Sequence, residues 1–360
     1  MKMKIGILTY HRSNNYGALL QGIALREVLA RAGHDVTFID YWPAYHRHMY
    51  ALFSIPWMMS RKGFGGKKSY LKNCIQNYKY RKIRKTNFDV FIKKNIEPYI
   101  SSINDNYDVI VHGSDQIWRK QPEIYSYNPV YFGKHQIKSK KKISYAASMG
   151  VLPNKKADRE VVKNYLSNLD CISVRENDLR EMVVDLGYPN VSLNLDPTLL
   201  LSQEYWVYNF ELIKNSQQYA IYYKIQDSFD EAELRQYAKA KGFQLKVIHN
   251  QARCAESVEH ITTASPLQFL QLIYGASMVF TSSFHGLAFS LIFHKPFYAS
   301  FTKNEGRAKS LLHQCKLDDH LLVPKSAIPS TDSIDYSSVD FVLDKLRRES
   351  IADLKDTISF

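Results

Sequence analysis

The run Met278–Phe297, M-V-F-T-S-S-F-H-G-L-A-F-S-L-I-F-H-K-P-F, constrains the chain most. It begins as an apolar strand, passes through Thr281, Ser282 and Ser283 to His285-Gly286, and continues as an apolar run from Leu287 to Phe293. That run is long enough for two helical turns and too apolar to face water, and Pro296 closes it. A strand turning sharply into a buried helix directs free backbone N–H groups and the positive end of the helix dipole at one spot. Such a spot binds anions. His285 adds a side chain that changes charge near neutral pH, although a histidine there also serves simply as a cap.

The other strand–turn–helix units agree with this one. Lys4 to Tyr10 reads as a buried strand, His11 to Gly17 as its turn, and Tyr16 to about Ala32 as a helix with Gly33 beyond its end. Asp35 to Tyr41 is the next strand. Strands follow at Tyr107–Val111, Lys142–Ser148, Cys171–Val174 and Val191–Leu195, each ending in small or polar residues. A second alternating series begins near Gln218, with Ser265 capping a helix that opens on Pro266. The expected fold is α/β: two Rossmann-like domains facing across a cleft, with ligands at the carboxyl ends of the strands. Residues 1–205 form the N-terminal domain, expected to hold the acceptor, with a basic insertion at 42–95. Residues 206–335 form the C-terminal domain, expected to hold the donor, and 336–360 a helix packing back across the boundary. The first turn lacks G-x-G-x-x-G, which argues against a dinucleotide there.

Charge is concentrated in the insertion. Arg61–Asn95 holds twelve Lys or Arg against one acid, Asp89, so +11 of the chain's +13 lies in 35 residues. Just before it runs M-Y-A-L-F-S-I-P-W-M-M, Met49–Met59. Together, 49–95 fit peripheral contact with an anionic membrane, aromatics dipping in and lysines meeting lipid heads. A solvated helix face with a mobile loop fits the same residues. Nucleic acid is not expected, since no binding motif accompanies the basic run. No apolar run approaches the ~20 residues of a membrane span. Four cysteines without C-x-x-C spacing suggest neither disulfides nor zinc, and no metal-ligand cluster stands out. The N-terminus lacks a signal-peptide pattern, so a cytoplasmic protein is expected, peripheral to the inner face of the membrane if 49–95 docks there.

Six short motifs fall in order: N-N-Y-G-A (Asn14–Ala18) with Gln21, G-S-D-Q-I-W (Gly113–Trp118), S-Y-A-A-S (Ser144–Ser148), S-V-R-E (Ser173–Glu176), D-P-T (Asp196–Thr198) and S-F-H-G (Ser283–Gly286). In this set the chain resembles the polysaccharide pyruvyl transferase family from about residue 4 to about residue 320. The resemblance implies a GT-B-like pair of domains and transfer of pyruvate from phosphoenolpyruvate to two hydroxyls of a surface polysaccharide or its precursor, forming a ketal. It implies no cofactor beyond the donor, and a saccharide acceptor, lipid-linked or nucleotide-linked.

Matched residue by residue, His285 is general acid or phosphate contact, Arg175 holds a donor anion, and Asp115 accepts a proton from the acceptor or binds the sugar. The helix N-terminus favours a neutral imidazole and a bound phosphate dianion a charged one, an opposition suited to acid catalysis. Ser282, Ser283, Gly286 and Arg307 are expected around the donor; Asn14, Asn15, Tyr16, Ser114 and Gln116 around the acceptor. The family pattern carries arginine two residues before the histidine, where this chain has Ser283, and Arg307 is the first candidate to replace that cation, ahead of Lys295 and Lys303. Tyr16 and Trp118 are candidate sugar stackers, although aromatics in so aromatic a chain also build core. Two other readings fit the same shape: a nucleotide-sugar glycosyltransferase, with Glu256 or Glu259 on the ribose, and a non-catalytic saccharide-binding protein.

Overall fold

The computed structural model describes residues 1–121, 124, 126–214, 217–249, 251–252, 256–330 and 333–359. Cys254 lies outside these residues, as does part of the loop ahead of Glu256. The first sheet contains β1 (Lys4–Leu8), β2 (Asp35–Ile39), β3 (Ile100–Ser101), β4 (Asn106–Asp115), β5 (Lys138–Ala147), β6 (Ile172–Val174) and β7 (Val191–Leu193), in the order β3-β2-β1-β4-β5-β6-β7. The second contains β8 (Tyr219–Lys224), β9 (Gln244–His249), β10 (His260–Ile261), β11 (Met278–Thr281), β12 (Phe297–Ser300) and β13 (Leu321–Leu322), in the order β10-β9-β8-β11-β12-β13. Every ladder is parallel, with Ile7 opposite Val111 in the first sheet and Val279 opposite Ile221 in the second. Strands buried on both faces need continuous apolar runs, which is why these segments read as they do. Parallel pairing also puts all carboxyl tips of a sheet along one edge, where α/β folds bind ligands.

Local chemistry sets the helices that position the site. Asn15 caps the helix Tyr16–Arg31, its side chain accepting from Ala18 N at 3.3 Å. That helix is buried nearly all round because the second domain packs on its outer side. Ser265 and Gln268 form a reciprocal capping box at Pro266–Gly275. Phe284–Ile292 is buried along its whole length.

A single apolar cluster runs through both domains, from Ile5 and Leu19 to Phe269 and Phe289. Tyr16 sits at the crossing, stacked on Phe269 at 4.6 Å, its hydroxyl donating to Ala264 O at 3.0 Å. Arg84, from the insertion's last helix Tyr78–Asn95, donates to the Tyr16 hydroxyl at 2.7 Å and to Thr262 O at 3.0 Å. The insertion is therefore ordered helix, and its end bolts the first domain to the second. The final helix, Tyr336–Ile358, lies against the N-terminal domain: Arg347 Nε donates to Leu199 O, and Asp353 accepts from Ser192 and Asn194. The chain passes between domains through the helix Gln203–Asn209, so a boundary at 205 falls inside a helix.

Candidate active site

The tips of β1 and β4 face those of β8, β11 and β12 across a cleft of about 600 Å³, and the tips of β6 and β7 lie beneath it. That volume suits a small anionic donor together with part of a saccharide. Four residues from four tips meet at its floor. Arg175, just past β6, is buried, and its Nη1 donates to Asp196 Oδ2. Its Nη2 stands 3.7 Å from Asp115 Oδ1, at the end of β4. His285 Nε2, from the second domain, lies 3.6 Å from the same Asp196 oxygen. Thr198 completes the pocket by donating its N–H at 2.9 Å and its hydroxyl at 2.6 Å to Asp196 Oδ1.

Asp196 is thus a buried anion shared between Arg175 and His285, side chains of different domains. Burial alone would raise its carboxyl, but Arg175, His285 and the Thr198 hydroxyl hold it well below the usual carboxylate range. Asp115 sits in the left-handed region, φ 73°, which a non-glycine residue occupies only when its surroundings hold it there. It ends β4, and a turn, not a helix, follows it.

Phe284 organises the cations. Arg175 lies over its ring at 4.9 Å and Arg307 at 5.4 Å. Arg307 heads the helix Gly306–Gln314, and burial followed by repulsion from Arg175 lowers it to about 10, still charged at neutral pH. Arg175 Nε and Nη2, Arg307 Nε and His285 Nε2 are buried and lack hydrogen-bond partners. Buried N–H groups are normally satisfied, so an unfilled set at a cleft floor marks where an anion belongs. The backbone N–H groups of Phe284, His285 and Gly286 open their helix beside it.

Glycines allow the domains to close on this spot. A Cβ at Gly17 would stand 1.9 Å from His285 Nδ1, so only glycine lets the first helix pass beneath the ring. A Cβ on Gly286 would meet Thr281 Oγ1 at 2.1 Å, so its place in H-G reflects packing as well as anion access.

His285, Asp115, Ser283, Arg307, Asn14, Asn15 and Gln116 all line the cleft, and Arg175 lies at its floor. The side chains of others on the expected list are engaged elsewhere. Tyr16 is wholly buried in the interdomain core and offers no face to a sugar. Ser114 Oγ donates to Ala146 O, which ties β4 to β5 instead of to an acceptor. Ser282 lines the cleft, but its Oγ accepts from the N–H groups of Ile225 and Gln226. Trp118 is buried against Phe132 and donates to Tyr131 O. Lys295 lies over Tyr274 and Lys303 is exposed, and neither lines the cleft. Of the carboxylates considered for a ribose, Glu256 accepts from Thr262 N and its hydroxyl, and Glu259 pairs with Arg235 at 2.7 Å.

Two contributions escaped the sequence reading. Asp196 was visible only as part of D-P-T, and its signal is a carboxylate at a strand tip where the neighbouring strand tip offers an arginine. The insertion supplies a whole wall, with Tyr50, Trp57, Arg61, Tyr70, Arg81 and Lys85 on the cleft. Segment 49–95 therefore has an inward face as well as an outward one. Among the described residues lining the cleft above the Arg175–Asp196 floor, Asp115 is the sole carboxylate.

No curated protein matches the chain. Solved structures similar to it at low identity include a putative UDP-N-acetylglucosamine 2-epimerase from Listeria monocytogenes, with TM-score 0.46, 8% identity and coverage of 99% of this chain and 90% of that one. A UDP-GlcNAc 2-epimerase from Neisseria meningitidis gives TM-score 0.46 and 10% identity, covering 99% of each chain. An E. coli heptosyltransferase with ADP gives TM-score 0.41 and 13% identity, covering 96% of this chain and 100% of that one. The family model for polysaccharide pyruvyl transferase matches residues 15–300, a span running from the cap of the first long helix to the end of β12 and taking in Asp115, Arg175, Asp196 and His285. With that much of the chain matched, it belongs to the polysaccharide pyruvyl transferase family, a family of transferases.

Proposed function

We propose that the chain transfers the pyruvyl group of phosphoenolpyruvate to a pair of hydroxyls on a saccharide, forming a cyclic ketal and releasing phosphate. The observation that carries this reading is the set of buried nitrogens of Arg175, Arg307 and His285 around Phe284 that make no hydrogen bond. Phosphoenolpyruvate brings a carboxylate and a phosphate on one carbon, and two guanidinium groups beside a helix N-terminus suit that pair.

In the reaction, one sugar hydroxyl adds to C2 of the enol while C3 takes a proton. The adduct holds carboxylate, phosphate and methyl on C2. The second hydroxyl then closes on C2 as the C–O bond to phosphate breaks. Of the two protons lost by the sugar, one balances that gained at C3 and one leaves with phosphate. His285 is the proton donor to C3, with Asp196 as its counter-charge. Arg175 and Arg307 bind the two anions and meet charge displaced toward phosphate as it departs. Asp115 accepts a proton from the sugar hydroxyl, and Asp196 positions both Arg175 and His285. Arg307 fills the role that Ser283 leaves vacant.

The reading includes a lipid-linked saccharide as acceptor, at the insertion side of the cleft, and an enzyme working at the cytoplasmic face of a membrane without nucleic acid. The test is incubation with phosphoenolpyruvate and a panel of saccharides, following phosphate release and the ketal methyl signal by proton NMR. Phosphate release coupled to a new methyl signal is expected. Consumption of a nucleotide sugar with phosphoenolpyruvate untouched would favour glycosyl transfer and overturn the reading.

A further inference from the structure

The outward face of the insertion carries a second interaction surface. On the helix Gly63–Gln76, Phe64, Leu71 and Ile75 follow one another at seven and four residues, which aligns them in one narrow stripe. All three are exposed, Phe64 by 83% and Ile75 by 69%. Lys67, Lys68 and Lys72 flank the stripe. The preceding loop and short helix add exposed Phe53, Ile55 and Met59. Tyr70, Asn73 and Cys74 occupy the opposite side: Tyr70 and Asn73 line the cleft, and Cys74 is buried.

We infer that this stripe seats the enzyme on an anionic lipid bilayer. An exposed apolar row bordered by lysines matches a bilayer boundary, where the side chains enter and the ammonium groups stay at the headgroups. Charge selects the lipid: the segment Arg61–Asn95 has twelve cations and one acid. The apolar row disfavours nucleic acid, which offers no apolar phase for Phe64 and Ile75. Because the same helix has its other side on the cleft, docking holds the cleft within one helix thickness of the bilayer. The inference deepens the membrane placement included in the proposed function and is read without turnover, so either can fail alone.

The experiment is cosedimentation of the full chain with vesicles of phosphatidylcholine alone and with phosphatidylglycerol added. Binding to the anionic vesicles is expected, weakening steeply with salt, while neutral vesicles bind poorly. Each lysine near such a surface is worth roughly fivefold, so Lys67→Gln/Lys68→Gln/Lys72→Gln should weaken binding on the order of a hundredfold. Phe64→Ser/Ile75→Ser should remove the part of binding that high salt leaves. Both variants alter residues outside the cleft that are exposed or, for Lys67, half-buried, and unchanged circular dichroism and melting would exclude misfolding. Equal binding to both vesicle types, or variants that sediment like wild type, would overturn the inference. Binding to a random oligonucleotide with no vesicle binding would do the same and identify a nucleic-acid surface.

Discussion

Replacing Gly17 by alanine tests whether the domains must meet at His285. The added methyl would sit 1.9 Å from His285 Nδ1, 2.2 Å from Cγ and 2.4 Å from Cε1. These separations lie far inside contact distance, so the ring must move by more than 1 Å or the domains must part. Overpacking of this kind costs about 1–3 kcal/mol, offset by up to ~1 kcal/mol from alanine's better helix propensity. The net loss of about 0–2 kcal/mol leaves the protein folded, with a melting point lowered by a few degrees. Activity should fall much further, because a displacement of about 1 Å in a catalytic group costs on the order of a hundredfold. The assay is a cycle of Gly17→Ala, His285→Ala and the double variant, comparing kcat and melting point. The double variant should be no slower than His285→Ala, since the methyl then has no ring to displace and the two losses are not additive. A Gly17→Ala enzyme with near-wild-type turnover would refute the reasoning, because His285 would then not need its observed place.

Other perturbations probe the remaining contacts. Asp196→Asn should cost about 3–5 kcal/mol at neutral pH by leaving Arg175 buried without its anion. Because Asp196 is held below the usual range, its contribution is complete above the unfolded value near pH 4 and fades as pH falls toward the folded one; wild type and variant should therefore converge in thermal stability below about pH 4, and a constant gap would contradict this. Arg84→Leu should lower stability by about 1–3 kcal/mol by removing its hydrogen bonds to the Tyr16 hydroxyl and the Thr262 carbonyl, read by denaturant titration; an unchanged midpoint would remove Arg84 as the bolt between domains. Arg307→Met should raise KM for phosphoenolpyruvate at least tenfold with melting within a few degrees of wild type, and an unchanged KM would mean that Arg307 does not meet the donor.

Much of the fold was legible because parallel α/β units announce themselves locally. Lys4–Leu8 and Met278–Thr281 are short apolar runs, and Tyr16–Arg31 and Pro266–Gly275 carry a cap at one end. The strand tips were legible for the same reason, so Asp115, Arg175 and His285 could be named before any geometry. What could not be read was contact between residues distant in sequence. Tyr16 looks like a turn aromatic until Ala264 and Phe269 of the other domain close on it. Gly17 looks like an ordinary helix-start glycine until His285, 268 positions on, packs above it. The basic insertion shows its charge in sequence but not its second face, because Trp57, Tyr70 and Arg81 turn inward only when the helices fold over the cleft.

The most direct measurement is isothermal titration of the protein with phosphoenolpyruvate, run beside Arg175→Lys and a series of nucleotide sugars. Wild type is expected to bind phosphoenolpyruvate. Arg175→Lys should bind it at least tenfold more weakly, because a point charge cannot replace the guanidinium fork between Asp196 and the donor, and no nucleotide sugar should compete. Absence of heat with phosphoenolpyruvate, together with saturable binding of a nucleotide sugar, would contradict assignment of the Arg175–Asp196–His285 floor to a pyruvyl donor.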